Sequence, residues 1–586
     1  MRLRRAEAAI DGCEMEHDRV PSLGDDRSGQ RPEAGATQAS AAAGSWLTLA
    51  VGTAAALPVI VSTVYAVRVG WEPTDDKGII ATRAYDVLTA HTPLVGQYTN
   101  ASLITDRPTH GLGPMLFWLI ALPARIGSPV TMAVSMGVVN TLAVVGTVAL
   151  ARRRGGLVLM FATALATVVM CTSLAGESFH DIWNPAAPLF PFLLLIFLCW
   201  SLACGEYRLL PIAILTASFV AQAHLGYVAP ALGMLAIAVA GLWIRAPRGR
   251  SLVRWMLAAV LVGLVCWLPT IIDQVSSHPG NLSLVARSAT AHVRTLGPRV
   301  GARAVMHTIG WRPWWLIVPA TRWDRYNDVL ALPTLVRLAT TIALLAALAV
   351  LALLGWRRGR WDLTAAALIG LVLCLALGAV AAHTPVRPVL ASTLGYTLWW
   401  GSQCGMWVWL ILGWAGWIAV SRRLRLGLPR RAAAAVTLIA VAVVAIAGAA
   451  AAATEKPDQH VALYRPLARI ARRLDQVNPR GKTVRLEATL DGRTQPFKAA
   501  VRFFLARRGI RVLSEGALPR NGPRYEYYHR PFQLALDLTD TRRPPRPGAS
   551  LLIGVGFREA GAGHSVFAWS SPAPRRRAAP RTPAGR

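Results

Sequence analysis

Two adjacent carboxylates, Asp75 and Asp76, stand just beyond the first long apolar run, within Trp71-Glu72-Pro73-Thr74-Asp75-Asp76-Lys77-Gly78. At the end of a transmembrane helix such a pair is placed to take a proton from an acceptor hydroxyl, or to hold a divalent cation against a phosphate leaving group. Adjacent side chains diverge, so one faces a cavity and the other supports it; as a plain solvated loop start the pair would do neither. A second cluster, Glu177-Ser178-Phe179-His180-Asp181-Ile182-Trp183-Asn184-Pro185, packs two acids, a His, a Trp and an Asn into nine residues. Trp183 suits a sugar face, and Asp181 and Asn184 suit hydroxyls; the bland alternative is a helix start at Asn184-Pro185 with an interfacial Trp. His110 lies in THGLGPMLFWLIALPARI, whose Phe117 and Trp118 suit a surface helix that anchors in headgroups or meets a lipid substrate. His278 lies after Asp273-Gln274, at the start of a long segment where seven arginines alternate with Trp311, Trp314, Trp315 and Trp323. Arginine forks match phosphate oxygens, whether on a substrate or on anionic headgroups.

The elements that must carry these residues follow from composition. The chain has 586 residues, 54% hydrophobic and 16% charged, with 62 basic and 30 acidic side chains and a net charge of +32. Its apolar residues are bundled into long charge-poor runs, which excludes a single soluble globular protein and predicts a polytopic membrane protein. Eleven spans are expected, near 45–69, 128–150, 155–175, 185–204, 208–225, 226–245, 252–272, 333–355, 361–382, 397–420 and 431–453. Segment 113–126 is too short to span and is expected to lie as an interfacial or re-entrant helix. With that count the short loops holding Arg152–Arg154, Arg208, Arg245–Arg254, Arg357–Arg360 and Arg422–Arg431 share one side, with sixteen bases against two acids. The positive-inside rule makes that side cytoplasmic. The outer side then holds loops 70–127, 176–184, 273–332 and 383–396, a turn near His224, and eight of the twelve histidines.

Residues 1–44 lack the apolar core and cleavage site of a signal peptide and read as a disordered cytoplasmic tail. From 454 to 571 the composition changes. VRLEATL and ASLLIGVGF read as strands, and QPFKAAVRFFLARRGI reads as an amphipathic helix ended by Gly509, so a small extracytoplasmic α/β domain is expected, followed by a Pro/Arg tail at 572–586. No cysteine or histidine spacing indicates a metal site or a disulfide framework. Once its charges are located, the high net charge leaves no basic nucleic-acid module.

The spans carry essentially no charge at their centres, which disfavours an ion-coupled transporter. No nucleotide-binding motif appears on the cytoplasmic side, so energy has to arrive with the substrate. A polyprenyl-phosphate-linked sugar is such a donor.

The chain resembles the GT-C superfamily of integral membrane glycosyltransferases, especially the actinobacterial mannosyl- and arabinofuranosyltransferases. The resemblance rests on Asp75-Asp76 opening the first outer loop, on TAHTPLVGQYT and HGLGPMLFWLIALPARI, on IWNPAAPLFPFLLL, and on WLPTIIDQVSSHPGNL, and covers about residues 45–420. It implies a GT-C-like domain at 45–453 and transfer of a hexosyl or pentosyl group from polyprenyl phosphate to an envelope glycan, lipid or protein on the outer face of the plasma membrane. It also implies inversion at the anomeric carbon, with Asp75 or Asp76 as general base or acceptor-positioning group. Lys77, His110, His180 and His278 are then candidates to stabilise the leaving phosphate. A divalent cation is an open possibility. The alternative from a different class is a non-catalytic transporter or flippase of a lipid-linked envelope component.

Overall fold

The protein is described here from a computed structural model covering residues 44–247, 249–316, 322–424, 429–454, 458–477, 481–489, 491–492, 494–514, 530–559 and 561–573. The tails expected at 1–44 and 572–586 lie almost wholly outside that range. The chain is mostly helical, with a small sheet near its C-terminal end. Among the described residues seven helices are long and apolar enough to cross a membrane, and an eighth span results if Gly44–Ala55 and Leu57–Val69, bent by 56°, count as one. Pro58, in the first turn of Leu57–Val69, lacks the N–H that would continue the ladder across that bend.

The helix Val130–Thr172 corresponds to two of the expected spans. Asn140 donates from Nδ2 to the carbonyl of Phe179 at 2.8 Å. A straight helix would carry Thr172 about 48 Å from Asn140, farther than seven more residues can return. The chain therefore doubles back at Gly156, whose φ of 67° and ψ of −158° break the helix and suit a residue without a side chain. Two other expected spans, Leu189–Ala203 with 15 residues and Tyr207–Ala223, are shorter than the ~20 residues of a full crossing. Leu189–Ala203 is buried at every residue but Leu194, so it packs against protein all round and need not match the hydrocarbon thickness. By contrast Arg250–Ser276, Leu335–Arg357 and Arg431–Ala453 leave large apolar side chains exposed along their length, a surface that lipid must cover.

The basic loops gather at one end of this bundle. Arg153 and Arg154 both pair with Glu206, and Trp361 donates to the carbonyl of Ala203 at 2.6 Å. The other end carries the loops that hold the candidate chemistry. There Gly113 to Ile126 forms two short helices, Met115–Leu119 and Ala121–Arg125, leaving Leu122 and Ile126 exposed. The helix that begins at the Asp75-Asp76 pair runs Asp75–Asp86. Pro73 and Thr74 precede it and two acids fill its first turn, a helix-start pattern that complements the helix dipole.

The C-terminal sheet has the order β2-β1-β3-β5-β4, with β1 Thr483–Thr489, β2 Arg511–Leu513, β3 Leu534–Thr539, β4 Ser550–Glu559 and β5 Ala562–Pro572. β1 pairs in parallel with β2 and β3, and β5 runs antiparallel to β3 and β4. The helix Pro496–Arg507 packs against Asp75–Asp86 at the loop end of the bundle. A Cβ at Gly78 would lie 2.7 Å from the carbonyl carbon of Ala499, so only glycine permits this approach.

Candidate functional site

At the loop end a cavity of about 370 Å³ opens between the first and second loops, the turn at His224 and the segment after His383. The Asp75–Asp86 helix delivers Asp76 to its wall. Asp75 sits at φ 49°, a left-handed conformation that costs roughly 1 kcal/mol for a residue with a side chain. It is exposed and is not part of the cavity wall. The two carboxylates therefore diverge, and Asp76 is the one that meets the cavity.

Opposite stand Trp183 and Asn184 from the second loop. The Trp183 indole is held against Tyr396 and Trp399, with ring centroids 5.1 and 5.6 Å away. Tyr98, Gln97, Thr393 and Tyr396 add aromatic faces, an amide and hydroxyls. Two histidines complete the wall. His224 accepts the N–H of Gly226 at Nδ1 (3.1 Å), so its proton rides on Nε2, and burial pushes its pKa down to about 4. It is a neutral donor at physiological pH. His383 bonds through Nδ1 to the carbonyl of Ala379 at 2.9 Å, which leaves Nε2 to a ligand. Among the described residues no Lys or Arg lines this cavity.

The remaining sequence candidates lie elsewhere. Lys77 is buried and pairs with Asp181 at 2.9 Å and Glu177 at 3.7 Å. Burial works against its charge, but Asp181 and Glu177 more than offset this and hold the ammonium above its usual range. Asp181 accepts the N–H of Trp183 at Oδ1 (3.0 Å). His180 is fully buried, 2.8 Å from Ser62 Oγ at Nδ1 and 3.3 Å from Asp458 Oδ2 at Nε2. His110 meets the cavity residue Tyr98 edge-on at 5.8 Å, and its backbone is clamped by Asn281. His278 is exposed and not part of the cavity wall. Thus Asp76, Trp183 and Asn184 come together, Lys77, His180 and Asp181 form a buried cluster behind them, and His278 joins neither group.

The arginine-rich loop supplies a tie more than a binding group. Arg325 is fully buried and donates to the carbonyls of Leu398, Trp399 and Ser173 and to Ser402 Oγ. No three His, Cys, Asp or Glu side chains among the described residues gather into a cation site.

Tyr98, Tyr396, His224 and His383 were not singled out by sequence. The two histidines were legible as members of the outer set, because each stands at the end of an apolar run. Nothing local marked the tyrosines.

No family model and no curated protein matches the chain. Among solved structures, the apo crystal structure of ArnT from Cupriavidus metallidurans is similar over 87% of this chain and 97% of that one, at 13% identity and a TM-score of 0.45.

Glu72, beside the cavity helix, carries a pH signature. Burial pushes its pKa from 4.5 up to about 8, against the pull of Arg507 and Arg508. The folded state keeps this proton to higher pH than the unfolded state does. The stability it contributes is therefore complete below pH 4.5 and is lost as pH rises toward 8. Glu72→Gln is expected to remove that slope, and the difference between variant and wild type across the window is roughly 4 kcal/mol at most. Thermal unfolding in detergent from pH 5 to 8 checks this; parallel curves would refute it.

Proposed function

We propose that this chain is a glycosyltransferase of the plasma membrane. It moves a sugar from a polyprenyl-phosphate donor to a cell-envelope acceptor at the outer face, where the loops and the C-terminal domain lie. The observation that carries this reading is a single carboxylate, Asp76, among the described residues on the wall of a loop-end cavity whose polar lining is otherwise amide, hydroxyl and imidazole, set among aromatic and aliphatic side chains. That lining suits an uncharged polyol: aromatic faces stack on sugar rings, and amides and hydroxyls replace water at sugar hydroxyls. The concentration of arginines at the opposite end of the bundle supports placing the cavity outside.

In this mechanism Asp76 accepts the proton of an acceptor hydroxyl as that oxygen attacks the anomeric carbon. The bond from the anomeric carbon to the phosphate oxygen breaks, its electron pair leaves with the lipid phosphate, and the configuration inverts. Trp183, backed by Tyr396 and Trp399, holds the sugar, and Asn184 and Gln97 orient its hydroxyls. The Nε2–H of His224 is the donor available to the developing phosphate charge.

Purified protein in proteoliposomes, given radiolabelled polyprenyl-phosphate mannose or arabinofuranose in separate reactions with an envelope extract, is expected to move label from lipid to acceptor. Movement of labelled lipid between leaflets without any transfer would overturn the proposal and favour a flippase.

A further inference from the structure

The C-terminal domain touches the cavity machinery through its first residues. Asp458 is buried, and its Oδ2 takes hydrogen bonds from Tyr464 Oη at 2.9 Å and from His180 Nε2 at 3.3 Å. The neighbouring Gln459 donates its backbone N–H to Glu177 Oε2 at 2.9 Å. Ser62 Oγ, in the helix Leu57–Val69, lies 2.9 Å from the carbonyl oxygen of Gly176 and 2.8 Å from His180 Nδ1. Glu177 and Asp181 hold Lys77, the residue next to Asp76, and Asp181 also fixes the N–H of Trp183.

We propose that Asp458 is a positioning residue for the cavity: with the Gln459 backbone it closes a buried polar cluster that fixes the helix start bearing Asp76 on one side and the Trp183 loop on the other. This rests on the reading of the cavity as the site of sugar transfer. The physical reason is that a buried polar cluster is rigid only when every member is satisfied. Without the Asp458 carboxylate, His180 and Tyr464 lose their acceptor, and the second loop loses its side-chain tie to the C-terminal domain. Asp76 and Trp183 do not touch Asp458, so its effect reaches them through Lys77, Glu177 and Asp181.

The test uses the full-length protein in detergent. In Asp458→Asn, hydrogen exchange of amides 75–82 and 177–184 is expected to quicken at least tenfold, with the amides of β1, β3 and β5 unchanged. In the proteoliposome assay the same variant should lose at least tenfold in rate at saturating polyprenyl-phosphate sugar while the half-saturating concentration stays within twofold. Asp458→Glu should restore at least a third of that rate. Because Asp458→Asn could unfold the C-terminal domain, Glu177→Gln, altered in the bundle loop, serves as the second variant and should reproduce the local exchange signature. Unchanged exchange at both segments in Glu177→Gln and in a folded Asp458→Asn would overturn the proposal, as would loss of rate that Asp458→Glu does not rescue. The exchange measurement needs no substrate, so it can fail or succeed independently of the transferase reading.

Discussion

Asp76→Asn is expected to lower sugar transfer by about 10²–10⁴-fold, the range over which a positioned proton acceptor contributes. Asparagine keeps the shape of the side chain and its place on the cavity wall but cannot take the proton of an acceptor hydroxyl. Asp75→Asn is expected to cost at least tenfold less. Asp75 is exposed and does not line the cavity, and its left-handed backbone directly precedes the residue that does. The measurement is label transfer from polyprenyl-phosphate sugar at equal protein levels, with both single variants compared. Equal losses would show that the divergence of the two carboxylates does not matter, and full activity in Asp76→Asn would remove it from the chemistry.

The second large effect is on stability. Lys77 is the cation that makes two buried carboxylates tolerable, with Asp181 at 2.9 Å and Glu177 at 3.7 Å. Replacing it with Met keeps much of the volume and deletes the charge. Breaking a buried pair from one side typically costs about 3–5 kcal/mol, because the partner is left uncompensated. The melting temperature of Lys77→Met in detergent should therefore fall by about 2–4 °C, and Lys77→Arg should recover part of it. A shift below about 1 °C would mean that water reaches this cluster. Lys77→Met should also reduce sugar transfer, since the residue follows Asp76 in the same helical turn.

These two neighbours show how far a linear reading goes. Both were legible as chemistry-bearing residues, because acids and a lysine directly after an apolar run are a local pattern. Their division of labour was not. One meets the cavity and the other lies buried, and that depends on the φ of 49° at Asp75 and on the approach of Ala499 to Gly78. His180 and Asp181 illustrate the same point from the second loop. Their density in nine residues signalled a purpose, but residue type does not distinguish a ligand to sugar from a support behind the wall. Trp183 and Asn184, in the same nine residues, do reach the cavity.

What the sequence determined by itself is the membrane character of the chain and the presence of strands after the last long apolar helix. Hydropathy, charge asymmetry and strand alternation are properties of contiguous residues, so they survive without knowledge of packing. What only the tertiary structure decided is the burial of the short Leu189–Ala203 helix and the convergence of Asp76, Trp183, His224 and Tyr396 on one cavity. The bond between His180 and Asp458 joins residues 278 positions apart. No local pattern encodes such a contact; it exists because burying the apolar faces of the bundle and of the Pro496–Arg507 helix brings those backbones together.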